Sequence, residues 1–138
     1  METYFRKITI IRSKIPEQDN INIELQWIGS SLGLFNQRDK DKSCFRIFIE
    51  LLKEAKEDNG LSSDELAYRL NLSRGTIVHH IHTLVAKGIV VPYENKYNLR
   101  VKNLSNLVEE VQKEFIESCN NLMDVAERVD KKLEKSER

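Results

Sequence analysis

The stretch LSSDELAYRLNLSRGTIVHHIHTLVAKGIV, residues 61 to 90, holds two helix starts joined by one tight turn, and that spacing leaves few folds open. Ser62 followed three residues later by Glu65 has the pattern of a capping box, in which each partner satisfies an otherwise orphaned backbone donor. Leu66, Ala67 and Leu70 then make the inner face of a short helix. After the turn Asn71-Leu72-Ser73, Ser73 caps again, and Ile77, Ile81, Leu84 and Val85 recur at helical spacing until Gly88 stops the run. Two short amphipathic helices this close together must cross and share one core.

The flanking sequence extends the pattern. IVVPY, the pair Glu94-Asn95 and KYNLR read as a two-stranded hairpin, with Pro92 suited to an edge because it lacks a backbone donor. Upstream, Phe45, Phe48, Ile49 and Leu52 form a stripe on a helix that Asp41 or Ser43 would cap and Asn59-Gly60 would end. Ile21, Leu25, Ile28 and Leu32, with Trp27 beside them, predict an earlier helix from Asn20 to Gly33. The aromatic and β-branched run at residues 4–11 predicts a short strand. Five glycines and two prolines in 138 residues favour a mainly helical chain over a turn-rich sandwich.

From Asn103 onward the sequence reads as one long helix. Leu104, Val108, Val111, Phe115, Cys119, Leu122, Ala126, Val129 and Leu133 are spaced mostly three and four apart, and Glu, Lys and Asp fill the other faces. So small a domain cannot cover the whole of such a seam. The expectation is that Leu104 to Phe115 packs back on Trp27 and the first helix, while Phe115, Cys119, Leu122, Ala126, Val129 and Leu133 pair with a second copy.

The net charge of zero conceals a distribution. Residues 71–103 carry five Lys or Arg against one Glu, and all three histidines lie there; the segments on both sides are acidic or nearly balanced. No Asp, Glu or Cys lies between Glu65 and Glu94. A concentrated positive patch matters more to a polyanion than the total charge does.

Two capped helices, a tight turn and a hairpin resemble the winged helix-turn-helix regulators of bacteria and archaea, and the run TIVHHIHTL followed by Gly88-Ile89-Val90 is most similar to the ArsR-like group. The resemblance covers about residues 43–101. Asn71 stands where such turns often have glycine, and Asn also tolerates the left-handed conformation. The resemblance implies that helix 73–87 reads the major groove while the wing, 89–101, touches flanking backbone or the minor groove. With Ile77, Ile81, Leu84 and Val85 turned inward, helical geometry turns Arg74, Thr76, Val78, His79, His82 and Thr83 outward or to the flank. Ser73 opens the helix, and Lys96 and Arg100 would flank the groove, with Tyr93, Tyr97 and Lys102 nearby.

The histidines separate by helical phase. His79 and His82 lie three apart on the outer face and would make a two-ligand half of a metal site, but no third ligand is near in sequence, and the cysteine pair of ArsR-like metal sensors is absent. His80 leans towards the inner stripe as packing. A histidine base would need a nucleophile and an orienting group; Thr76 and Thr83 on a solvent-facing helix supply neither, and no Walker loop, Rossmann glycine run or HExxH occurs. Cys44 and Cys119, far apart in apolar helical patterns, read as buried thiols outside any disulfide, and no uncharged run approaches a membrane span.

The sequence therefore predicts a mainly α (α+β) chain, a winged helix-turn-helix with a hairpin wing and a long C-terminal dimerisation helix. Its divisions are an N-terminal strand and supporting helix at 1–42, a DNA-binding domain at 43–102 and a dimerisation arm at 103–138. The expected function is a homodimeric, cytoplasmic, nucleoid-associated transcription regulator that binds double-stranded DNA, with no metal, cofactor or catalysis and with its effector unassigned. Two-fold symmetry would set the recognition helices about 34 Å apart. A protein-interaction module and a non-specific architectural DNA binder are the alternatives.

Overall fold

The computed structural model describes residues 5–35, 42–57 and 59–136. The chain forms two compact units, residues 1–104 and 105–138. In the first unit the element order is α1 (Ile21–Ser31), α2 (Ser43–Ala55), α3 (Ser63–Leu70), α4 (Arg74–Ala86), β1 (Val90–Tyr93) and β2 (Lys96–Leu99). The second unit is the helix α5 (Leu104–Ser136).

Helix α1 begins where Asn20 caps it, its side chain accepting from the amides of Asn22 and Ile23. Gly33, at φ +64°, follows its end. Within it Gly29 is required by packing: a Cβ there would overlap the Phe35 ring. That ring stands edge-on to Phe45 and Phe48, at 5.4 and 5.9 Å between centroids.

Residues 5–17 correct the expectation of a strand over 4–11, of which Tyr4 lies outside the described residues. They form neither strand nor helix and pair with no strand. Their amides go instead to carbonyls at helix ends, Arg6 to Lys87 and Ile11 to Ser31, which lack partners of their own in an isolated helix. Lys7, at φ 57°, also departs from strand backbone.

Helix α2 differs from expectation in cap and phase. Ser43 is its first residue and not its cap; Lys42, in the left-handed region, precedes it without a side-chain cap, and Asp41 lies outside the described residues. The buried face is Cys44, Ile47, Phe48, Leu51 and Ala55, while Phe45, Ile49 and Leu52 are half-buried. Both stripes share Phe48, and 3.6 residues per turn lets either fit an apolar run this dense; only the neighbouring helices decide which face turns in.

The capping box of α3 is present as expected, with the Glu65 amide donating to Ser62 Oγ at 3.1 Å and the Ser62 amide to Glu65 Oε1 at 3.3 Å. Leu66 and Leu70 are buried and Ala67 half-buried. Asn71 takes the left-handed cap at φ 54°. Arg46 donates to the Leu70 carbonyl at the same helix end, and Arg69 reaches Glu54 at 2.9 Å, so α2 grips α3 at two points.

Ile77, Ile81 and Leu84 of α4 are fully buried against α2 and α3, with Val85 only half-buried. Gly88, at φ +80°, turns the chain out of the helix into the hairpin. β1 and β2 pair antiparallel with Val90 opposite Leu99, around a turn in which Glu94 and Asn95 both have positive φ. Leu61 bridges the far side of β2 through reciprocal hydrogen bonds with Tyr97, so β1 is the open edge and carries Pro92. Three helices, a bridging residue and a two-stranded wing make a winged helix-turn-helix.

Candidate nucleic-acid interface

The outer face of α4 follows from the burial of its inner one. Arg74, His79 and His82 are exposed; Thr76, Val78 and Thr83 are half-buried on the flanks. Ser73 is the N-cap, and its hydroxyl accepts from the Thr76 amide at 3.1 Å and bonds the Thr76 hydroxyl at 2.8 Å. Both hydroxyls are thus engaged in starting the helix. Thr83 Oγ1 donates back to the His79 carbonyl at 3.3 Å. His80 is half-buried, its ring edge-on to that of His79 at 5.1 Å, consistent with its inward lean.

Two features amend the reading of this face as free of carboxylates. Although no acid lies between Glu65 and Glu94 in sequence, the fold brings Asp64 to 3.6 Å from Arg74 Nε and Glu65 to 4.0 Å from Lys96 Nζ. Both pairs are exposed and therefore weak. The Glu65 carboxyl sits below its usual range, chiefly because it accepts from the Ser62 backbone amide, with Ser62's hydroxyl, Lys96 and Arg69 acting in the same direction. Asp64 lies in the first turn of α3, and only the crossing of α3 with α4, which spacing within either helix leaves open, brings it to Arg74.

Arg100 also has a second task. Its Nε donates to the Gly88 carbonyl at 2.7 Å and its amide to the Ile89 carbonyl at 2.8 Å, so it braces the junction between α4 and the wing. Lys96 and Tyr93 are exposed on the hairpin, and Tyr97 is half-buried. Lys87, at the other end of α4, donates to the Gly33 carbonyl at 2.6 Å and ties the turn after α1 to α4.

Among the described residues no group of three or more His, Cys, Asp or Glu side chains is placed to hold a metal ion. Neither cysteine forms a disulfide; Cys44 is buried as expected, but Cys119 is exposed, because the outer face of α5 that carries it has no cover within its own helix. Among the described residues no helix is long and apolar enough to cross a membrane.

In the second unit Phe115, Cys119, Leu122, Ala126, Val129 and Leu133 are all exposed, Leu122 by 69%. They lie on one face of α5, and Ile116, Met123 and Val125 widen it.

Residues 47–97, from α2 to the second strand of the wing, match the family model of an HTH domain. No curated protein and no solved structure matches the chain. Fold and match together support a DNA-binding regulator of helix-turn-helix kind. The match does not reach the ArsR-like subgroup.

Proposed function

We propose that the protein is a sequence-specific transcription regulator that binds double-stranded DNA as a homodimer, a cytoplasmic, nucleoid-associated protein of ArsR-like kind without metal sensing or catalysis. Residues 1–42 support the reading head, 43–102 form it, and 103–138 are the dimerisation arm. The carrying observation is the two-sidedness of α4: Ile77, Ile81 and Leu84 are sealed in the core while Arg74, His79 and His82 stand out on the opposite face.

In the groove, Arg74 is suited to a guanine edge or a phosphate, His79 and His82 to base or phosphate acceptors, and the first turn of α4 offers amides to a phosphate. Thr76, Val78 and Thr83 line the flanks of that contact, Ser73 holds the helix start, and Lys96 with Arg100 serve the adjoining backbone. Arg74 exchanges its exposed pairing with Asp64 for nucleic acid, at small cost because such pairs contribute little.

Selection from a random DNA pool at two salt concentrations tests the reading. Enrichment of one motif supports a regulator, salt-sensitive binding without a motif marks an architectural protein, and absence of binding marks an interaction module. Arg74→Ala and His79→Ala should each weaken binding to the selected site with the melting temperature nearly unchanged; intact affinity in either would refute this face as the reader.

A further inference from the structure

We infer that two copies of α5 pair antiparallel, about a two-fold axis near Asp124, an orientation that rests on the arm being the dimer interface. The outer part of α5 has two apolar rows, each with residues seven apart. One is Phe115, Leu122 and Val129; the other is Cys119, Ala126 and Leu133. At about 100° per residue the two rows share one narrow face. All six residues are exposed, so the face lacks a cover within its own helix.

The sizes in the rows decide the orientation. A parallel, in-register pair stacks each residue on itself, so Phe115 and Leu122 layers are thick while Cys119 and Ala126 layers are thin. Helices at one constant separation cannot fill both, and the thin layers are left as voids in an interior that tolerates few. An antiparallel pair centred near Asp124 matches one row with the other. Leu122 meets Ala126 of the second copy, Val129 meets Cys119, and Phe115 meets Leu133. Large now meets small in two of the three layers, and no thin residue meets another.

Charge points the same way and does so independently of size. Residues 109–127 carry six carboxylates and one lysine, whereas residues 128–135 carry four cations and two carboxylates. A parallel pair lays acid along acid for most of the helix. An antiparallel pair lays the basic end of each copy along residues 113–120 of the other. Glu114 and Lys132, on the same flank of the seam, become neighbours across the axis twice over.

The test measures distances between the two copies in the full chain. Cys119→Ser removes the exposed thiol and Cys44 is buried, so a single nitroxide can be placed by Asp124→Cys or, separately, by Lys135→Cys, both on exposed polar positions. Antiparallel pairing sets the two Lys135 labels about 33 Å apart along the helix axis, from the 22 residues between Lys135 and its mirror position, and the two Asp124 labels level with each other, so the separation at position 135 exceeds that at position 124 by more than about 10 Å. Similar separations at both positions, in a protein of dimer mass by light scattering, would overturn the orientation and leave the arm as the interface. Dimer mass without dipolar coupling at position 124 would move the interface off α5, and monomer mass would remove the dimer itself; both overturn the inference.

Discussion

Asp64 and Arg74, ten residues apart in sequence, meet at 3.6 Å across the turn, and that contact restrains the cation proposed to meet DNA. Asp64→Ala removes one negative charge and releases Arg74. Affinity for DNA should rise and the log–log salt slope steepen by up to about one unit, with stability altered by no more than about 0.5 kcal/mol. Titrations at several salt concentrations measure both, and an unchanged slope would place Arg74 away from phosphate. Ile77 is the opposite kind of residue, with no exposed surface and no polar task. Ile77→Ala should cost about 2–5 kcal/mol in thermal or urea unfolding, and a variant as stable as the parent would contradict its core position. Both assignments to a face were readable from spacing alone, because α4 has a clean period. The partnership of Asp64 was not read: it depends on how two helices cross, which spacing within either helix leaves open.

At the scale of the element, α3 is held at its start by Ser62 and Glu65 and at its end by Arg46 and Arg69. The Glu65 carboxyl is lowered from its ordinary value of 4.5, so its ionised form is favoured by folding. Its contribution is therefore complete above about pH 4.5 and is lost as the pH falls through the lower folded value. Glu65→Gln keeps the acceptor and abolishes the titration. The variant should melt below the parent at pH 7, by less than about 1 kcal/mol, and the gap should close on acidification to pH 3; a gap independent of pH would separate Glu65's charge from the cap. The capping box was legible because its partners are local. The phase of α2 and the fate of residues 5–17 were not: a dense apolar run offers two faces, and a segment becomes a strand only where another strand meets it, whereas here its amides meet helix ends.

At the scale of the whole molecule, the proposed dimer rests on the exposed apolar face of α5. Truncation before Asn120 removes Leu122, Ala126, Val129 and Leu133 and should convert a dimer to a monomer in sedimentation equilibrium. A dimer that survives would shift the contact to residues 10–21, where Ile10, Ile11, Ile15 and Ile21 are exposed. Read on its own, the sequence determined the winged helix-turn-helix, the caps of α3 and α4, the hairpin turn and the two-sidedness of α4, because each is written in spacings of two to four residues and stabilised by neighbours along the chain. Only the tertiary structure decided which face of α2 is buried, that Asp64 and Glu65 lie beside Arg74 and Lys96, and that Arg100 braces the wing. Those contacts join residues ten or more positions apart, or choose between faces of nearly equal apolar character, and the energy that selects among them exists only once the elements are packed together.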